Sequence, residues 1–432
     1  MTQTSASPAD AAAAQATPRA EGHENVAVSW VHPRGLWSLS LANFALRILT
    51  LGIYHFWGRT EVRKRLWSGM RLNGEPLAYT GTGKELFLGF IMVFAVVLLP
   101  LLALSFIVVL AAGPQSIWAG IYQGAIYVGL LFLFGLATYR AQRYRLSRTQ
   151  WRGIRGGMSN NAMAYAWTYF WTGLALPLTL GWLSPWRDTR LQGIITRDMR
   201  FGDRHFGFDA TARDLYPRFA VLWIGTVLLA IVVFASMGGV FFELQRSGEL
   251  LVSPDVPPSP ATIARILAAV YGSAFVGMIV YGILSAWYRS RKFNLFARHT
   301  CVDSARFAAD VRARGLIWLT VSNGFILLMG ALLATAALSI VVAGIVVVSG
   351  GTEVLAQPEN APIVRTLSFI APIALVFSFG LMVPVTQART LRYLVTRTRL
   401  EGTLPLAGIA QRAADPSTRG EGLAQAFEID AI

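Results

Sequence analysis

Residues 50–90 read TLGIYHFWGRTEVRKRLWSGMRLNGEPLAYTGTGKELFLGF, an apolar segment followed by a basic run and a short polar loop. The same pattern returns without a gap 129 positions later, so that Gly52 and Trp57 fall on Gly181 and Trp186. An internal repeat of this length determines the architecture before any single motif does. The sequence therefore predicts a protein that is built from repeated units.

The composition is that of a membrane protein, with 54% hydrophobic and 14% charged residues. An apolar run of about 20 residues is long enough to cross the hydrocarbon core of a bilayer as a helix. Such runs occupy residues 86–112, 117–139, 219–242, 262–288, 316–349 and 366–386. They predict an all-α polytopic membrane protein with about six transmembrane helices in three hairpins.

A shorter repeat lies inside the longer one. It is anchored on a Thr or Met that is followed four positions later by Gly or another small or turn-forming residue, and the five anchors are Met70, Thr149, Met199, Thr300 and Thr398. Nine residues before these anchors stand, in order, Glu61, Arg140, Arg190, Arg291 and Arg389. Each copy predicts an apolar segment that leaves the membrane and continues as a basic helix that ends in a turn.

Basic residues are concentrated after the predicted membrane exits. The connections 113–116, 243–261 and 349–365, by contrast, carry few of them. Cytoplasmic loops are enriched in Lys and Arg, so the basic repeat loops are predicted to be cytoplasmic. This bias accounts for the net charge of +15 without nucleic acid as a partner. The expected partners are the lipid bilayer and its anionic phospholipids.

Two apolar segments, 37–57 and 162–186, do not belong to any of the three hairpins that leave the cytoplasmic side and return to it. Residues 162–186 begin just after one basic loop and end at the next, which a single straight span cannot do. This segment contains Pro177, Gly181 and Pro185, residue types that break or kink helices. Both segments are predicted to be re-entrant or interfacial. If both spanned the membrane, the number of transmembrane helices would rise to eight.

A third copy of the same segment is split. Leu41-Ala-Asn43 resembles Val321-Ser-Asn323, yet Gly380, the counterpart of Gly52, lies far beyond Asn323. The intervening residues 331–377 are interpreted as an apolar insertion with an outer loop. The insertion would convert a short segment into a full transmembrane hairpin.

These motifs resemble the YjgN-like family of bacterial inner-membrane proteins, whose domain has no known function. The resemblance is carried by residues 50–57, 79–87, 144–155, 179–181 with 185–186, 291–300 and 389–393, and it extends from about residue 30 to residue 402. It implies a location in the bacterial inner membrane and no particular activity. Two positions depart from the pattern: the Gly-rich start is reduced to Pro33-Arg-Gly35, and Val385 replaces a Trp.

No catalytic or cofactor-binding pattern emerges from the sequence. Gly81-Thr-Gly-Lys84 resembles a phosphate-binding loop, but Ala78 stands where the first Gly is needed and Glu85 where Ser or Thr must follow. A turn that leads into the next helix is the favoured interpretation. The histidines and Cys301 lack the spacing of a metal site. The chain is therefore expected to be no enzyme and to need no cofactor or metal.

The leading functional hypothesis is a transporter or channel-like translocator of an unknown solute. Helices broken near the middle of the membrane often form transport sites, which makes residues around the two predicted breaks the candidates. They are Arg47, Gly52, Trp57, Pro177, Gly181 and Trp186. The alternative is a structural or lipid-interacting scaffold, in which Arg140, Arg190, Arg291 and Arg389 contact anionic headgroups.

The domain organisation follows from composition and from the repeats. Residues 1–29 are predicted to be a disordered tail, and residues 408–432 a polar C-terminal tail. The membrane domain is predicted to occupy residues 30–407, with repeats at about 30–158, 159–314 and 315–407.

Overall fold

The computed structural model describes residues 23–246, 259–348 and 378–411 except Phe379, together with a few isolated positions between the last two ranges. Most of these residues are helical. The helices are α1 Leu36–Leu49, α2 His55–Gly69, α3 Gly83–Ala112, α4 Ile117–Ser147, α5 Ala162–Leu178, α6 Ser184–Asp198, α7 Ala212–Arg246, α8 Pro260–Arg298, α9 Ala313–Val348 and α10 Val383–Val395.

Within the described residues, α3, α4, α7, α8 and α9 are long and apolar enough to cross a membrane. They correspond to the first five apolar runs of the sequence. The sixth predicted span, 366–386, lies largely outside the described residues. The prediction of a mainly helical polytopic membrane protein is confirmed, whereas the number of six spans stays a prediction.

Short strands join the bases of the helices, and the sequence analysis did not foresee them. They are β1 His23–Asn25, β2 Val28–Trp30, β3 Met70–Leu72, β4 Glu75–Pro76, β5 Ala78–Tyr79, β6 Thr149–Trp151, β7 Ile154–Met158, β8 Met199–Phe201, β9 Arg204–Phe208, β10 Thr300–Val302, β11 Ala305–Ala309, β12 Thr398–Glu401 and β13 Thr403–Pro405. All of their pairings are antiparallel.

Each of the five anchors of the short repeat begins a strand directly after a basic helix. The predicted turns are two-residue hairpin loops, as at Asn73-Gly74 and Arg152-Gly153, where both residues have positive φ. Such loops need this backbone conformation because it matches the twist of the flanking strands. A two-residue hairpin loop therefore follows each of the first four anchors, while the common origin of the units stays a prediction.

The strands follow one another around a nearly closed series. One eight-stranded sheet runs from β5 through β12, a separate three-stranded sheet has the order β2-β3-β4, and β12 in turn lies beside β2. An apolar cluster forms between strands that are distant in this order, and it includes Leu72 of β3, Val302 of β10 and Leu404 of β13. The strands therefore share a common interior, because side chains on one face of a pleated strand point the same way.

Residues 23–30 and 403–411 also take part in strand pairing and hydrogen bonding, which corrects the predicted tail boundaries at residues 29 and 408. β1 pairs with β13, β2 pairs with β3, and Val26 is buried in the apolar cluster. Beyond β13, the Oε1 atom of Gln411 accepts a hydrogen bond of 2.7 Å from the backbone N–H of Arg155. Backbone groups at a strand edge need partners, and the terminal segments supply them.

The chain returns to the sheet after every helical excursion. The excursions comprise residues 36–69, 83–147, 162–198, 212–298 and 313–395, and each lies between two strands. This arrangement explains how segments 37–57 and 162–186 can each lie between two loops on the same side of the membrane. Each belongs to a helical hairpin that leaves the strands and returns to them. Every strand can therefore lie on one side of the membrane.

The base of α3 packs directly on α2, which generates a test of this packing. A Cβ atom at Gly83 would lie 2.7 Å from both Cα and Cγ of Trp57, so Gly83→Ala forces the two helices apart. We expect a loss of about 1–3 kcal/mol in the free energy of unfolding, measured in detergent. Gly129→Ala is the matched control, because its Cβ meets nothing within 4 Å. Equal stability of the two variants would contradict this packing.

Candidate functional site

The two short hairpins, α1–α2 and α5–α6, are broken by the same helix cap. In the first, Gly52 N–H donates to Arg47 O over 2.7 Å and Leu51 N–H donates to Ile48 O over 3.1 Å. In the second, Gly181 and Leu180 donate in the same way to Leu176 and Pro177, over 2.8 and 3.1 Å. This pair of bonds defines a Schellman cap, which satisfies the last carbonyls of a helix and ends it.

The cap places a leucine where a glycine is usual. Leu51 and Leu180 have φ of 49° and 48°, and the glycines that follow them have φ of 94° and 80°. A left-handed conformation costs an ordinary residue about 1–2 kcal/mol, because its Cβ approaches the backbone. Both hairpins therefore carry local strain at the tip, close to the position where the sequence predicted the break.

In each hairpin, the two helices contact each other at equivalent positions of the repeat. Asn43 Nδ2 donates to Gly58 O over 3.3 Å, and 129 positions later Arg187 Nε donates to Thr172 Oγ1 over 3.2 Å. In the predicted split copy, Asn323 Nδ2 lies 3.4 Å from Thr386 O. These contacts join equivalent positions of the aligned segments and hold each pair of helices together.

The tips of the short hairpins are apolar and exposed. Leu178 and Leu180 are 86% and 77% exposed, and Leu49 is 78% exposed. The 14 residues of α1 and the 17 residues of α5 span about 21 and 26 Å, less than the hydrocarbon thickness of about 30 Å. Helices that turn back before crossing, with leucines at the turn, fit the re-entrant interpretation.

The structure separates the proline and tryptophan candidates from the break itself. Pro177 lies within the last turn of α5, which continues to Leu178, so Pro177 does not end the helix as the sequence analysis expected. The left-handed Leu180-Gly181 pair ends it instead. Trp57 is half-buried against Phe87, with ring centroids 5.6 Å apart, whereas its counterpart Trp186 is 43% exposed.

Arg47 is the most unusual charged residue of these hairpins. It is half-buried in the last turn of α1, and its Nε atom is buried with no hydrogen-bond partner in the part of the chain that the structure describes. Its charged neighbour is Arg59 of α2, another cation. Two guanidinium groups in one partly buried place attract an anion, because only opposite charge offsets their desolvation and mutual repulsion.

The four predicted headgroup contacts fall into two groups. Arg140, Arg190 and Arg291 are exposed, and no ion pair or hydrogen bond of their side chains occurs within the described parts of the chain. Arg389 differs, since its Nη2 donates to Ser322 Oγ of α9 over 2.7 Å. The first three are therefore free to meet a ligand, whereas Arg389 ties two helices together.

Two buried polar networks escaped the sequence analysis. The Tyr139 hydroxyl lies 2.6 Å from Asp198 Oδ2, and Asn161 Nδ2 donates to Asp198 Oδ1 over 2.8 Å, which connects the bases of α4, α5 and α6. In the second network, Glu85 accepts a hydrogen bond of 2.6 Å from Tyr144 and pairs with Arg148 at 3.0 Å. These carboxylates serve packing, because buried charges need such partners. No local sequence pattern indicates that residues 59 positions apart, such as Tyr139 and Asp198, form a hydrogen bond.

The Gly-Thr-Gly-Lys loop is a helix start. The Thr82 hydroxyl oxygen accepts the Glu85 N–H at 3.4 Å and caps α3, while Gly81 and Gly83 allow close contact with Tyr79 and Trp57. In the described residues, no three His, Cys, Asp or Glu side chains come together as metal ligands.

Comparisons with known proteins point to one family. The family model described as "Bacterial protein of unknown function (DUF898)" matches residues 33–426. The chain is also 29% identical over 316 residues to "Inner membrane protein YjgN" of Salmonella typhimurium, a match that covers 65% of this chain and 76% of that protein. No solved structure matches.

The re-entrant geometry can be tested by labelling the tip of α5. We expect a Leu178→Cys variant, made in a Cys301→Ala background, to resist membrane-impermeant thiol reagents from both sides. A fluorescent label there should be quenched by lipids brominated in their acyl chains, because the tip lies within the hydrocarbon region. Reaction with an impermeant reagent applied from the outside would show that the segment crosses the membrane.

Proposed function

We propose a function on the premise that this chain belongs to the DUF898 family of bacterial proteins of unknown function: it is a non-enzymatic scaffold that binds anionic phospholipids. Its inner-membrane relative and its five long apolar helices support a multi-pass location in the bacterial inner membrane. The proposal takes up the lipid-interacting alternative of the sequence analysis, because the contacts of the helices favour it over a substrate path.

The observation that carries the proposal is the position of the three exposed arginines. Arg140, Arg190 and Arg291 each stand nine residues before a strand, which is about 13 Å along the helix. On α4 and α8 this is the level at which the apolar part of the helix gives way to charged residues. Cations at that level lie among the lipid headgroups, where each contributes about 1 kcal/mol of attraction to an anionic membrane.

The exposure of the spans also supports a lipid-binding role. The most apolar windows of the five long helices are only 0 to 11% buried within the protein. Most residues of these windows are therefore exposed or only half-buried within the protein, which leaves their side chains open to lipid. A protein-lined path would instead require spans that bury a continuous polar face against one another.

The arginine positions predict which lipids the purified protein retains. We expect native mass spectrometry to show phosphatidylglycerol or cardiolipin bound in preference to phosphatidylethanolamine. The triple variant Arg140→Gln, Arg190→Gln, Arg291→Gln should weaken this binding about a hundredfold, since about 3 kcal/mol of electrostatic attraction is lost.

The matched control is the triple variant Arg152→Gln, Arg155→Gln, Arg312→Gln. These arginines lie on strands and turns beyond the helix ends, and Arg152 and Arg312 already pair with Glu75 and Asp310. The control removes the same formal charge. Equal loss of anionic lipid from both triple variants would argue against a contact at the helix level.

The proposal includes an orientation in which the sheet and the basic loops face the cytoplasm. In intact cells, and in a Cys301→Ala background, we expect Asn160→Cys beside the sheet to be protected from an impermeant thiol reagent. Gln115→Cys, in the connection between α3 and α4, should react, because it lies at the opposite end of the hairpin. The reverse pattern would invert the orientation.

Transport is the second candidate function, and the surroundings of Arg47 favour it. A buried guanidinium nitrogen without a partner, beside a second Arg in a broken hairpin, resembles the anion sites of transporters in form. Proteoliposomes loaded with bacterial metabolites test this candidate. Protein-dependent release of an anion that Arg47→Gln abolishes and Arg155→Gln preserves would support transport, and its absence would leave the scaffold as the better account.

A further inference from the structure

A basic cleft lies beside strands β11 and β12. It occupies about 640 Å³ between the ends of α8 and α10, above strands β11 and β12. Four arginines line it: Arg298, Arg306, Arg397 and Arg399. This volume lies within the range of sites that bind small molecules.

The strand register explains why the arginines converge. Arg399 is paired with Ala308 across β11 and β12, and Arg306 is paired with Glu401. Alternate residues of a strand share a face, so Arg306 and Arg399 point to one side of the sheet. Arg397, directly before β12, lines the same cleft. The small side chain of Ala308 leaves the space between them open.

The charges of the cleft are not balanced within the protein. Arg306 pairs with Asp209 at 3.4 Å, and the cleft's Asp310 pairs with Arg312 at 3.1 Å. For Arg298, Arg397 and Arg399, by contrast, no acidic partner lies within 4 Å in the described ranges. Glu401 is the remaining carboxylate of the cleft. An excess of positive charge in a concave surface raises the local concentration of anions.

A comparison with the other units singles out Arg397. The residue directly before the strand has a side-chain partner in three of them: Arg148 pairs with Glu85, Asp198 accepts from Asn161, and His299 lies 2.7 Å from Asp209. In the fifth unit this residue is Arg397, and the nearby Asp310 is engaged elsewhere. The fold therefore gives this position a polar side-chain partner in those three units, whereas Arg397 has no acidic partner within 4 Å among the described residues.

The Arg397 side chain is also held in place. Its guanidinium carbon lies 4.5 Å from the centre of the Tyr393 ring, a cation–π contact, and the backbone of Arg397 accepts a hydrogen bond from Asp310 N–H. A guanidinium group that is fixed beforehand loses less conformational entropy when it binds an anion.

We infer that the cleft formed by Arg298, Arg397 and Arg399 binds a phosphate-bearing anion. Guanidinium groups match the geometry of phosphate oxygens and donate two parallel hydrogen bonds to them. The phosphate could belong to a lipid headgroup or to a soluble phosphomonoester, since both present the same oxygens. The inference does not rest on the proposed lipid role of Arg140, Arg190 and Arg291, because it concerns a different set of arginines.

Calorimetry on the full-length protein in nonionic detergent tests the inference, with inorganic phosphate and glycerol phosphate as probes. We expect saturable binding that is weakened at least about tenfold in the Arg397→Gln, Arg399→Gln double variant, because charge-assisted hydrogen bonds are lost. Arg155→Gln, an exposed arginine on another strand, is the matched control and should bind normally. A double variant with lysines at the same positions should recover part of the affinity.

A competition arm identifies the source of the phosphate. If nanodiscs of phosphatidylglycerol and phosphatidylcholine suppress binding of glycerol phosphate while pure phosphatidylcholine does not, the cleft takes a lipid headgroup. If neither suppresses it, the ligand is soluble. The inference is overturned if wild-type protein binds neither probe, or if the glutamine double variant, folded as judged by its unfolding temperature, binds as tightly as wild type. The lipid experiment on the helix-level arginines can fail independently.

Discussion

The structure depends on the antiparallel pairing of short strands at the base of the helices. At most 11% of the residues in the most apolar windows of the long helices are buried within the protein, and the buried contacts between spans lie near the helix bases, as where Leu215 and Phe219 of α7 pack on Tyr288 of α8. Lipid is as apolar as leucine and does not drive such helices together. The strands instead provide directional hydrogen bonds between successive units. Outside the bilayer such strands need not close into a barrel, because water can satisfy the backbone groups at their edges. Each helical excursion is thus anchored at both ends by two neighbouring strands.

This constraint explains what the sequence could predict. The long apolar runs determine the spans by length alone, and the Leu-Gly pairs at residues 51–52 and 180–181 mark the breaks. The strands were missed because most have two or three residues, below the length at which alternation is recognisable. A signal was nevertheless present: the dipeptide Asn73-Gly74 is a strong indicator of a hairpin turn. The networks around Asp198 and Glu85 depend on packing between distant segments, which no local pattern encodes.

The short hairpins show how strain and environment are connected. A glycine at residue 51 or 180 would relieve the left-handed strain, but it would also remove an exposed apolar side chain from the tip. Burial of a leucine side chain in hydrocarbon contributes about 1.5–3 kcal/mol, which is as large as the cost of the conformation. Leucine at these positions is therefore consistent with tips that lie in the bilayer. In water the same residue would have no such compensation.

The fifth unit differs from the others for a reason that lies in the sheet. In the first four units, the strand that begins at the anchor residue pairs with the strand that follows it along the chain, as β10 does with β11. In the fifth unit the following strand, β13, pairs with β1 of the N-terminal segment instead. β1 and β13 therefore form a sheet of their own, and β12 lies beside β2. Because the fifth unit has no hairpin of its own at this junction, its side chains need not follow the arrangement of the other units. Arg397 and Arg399 lie beside this junction, and there the fold can hold an unneutralised charge without weakening a hairpin.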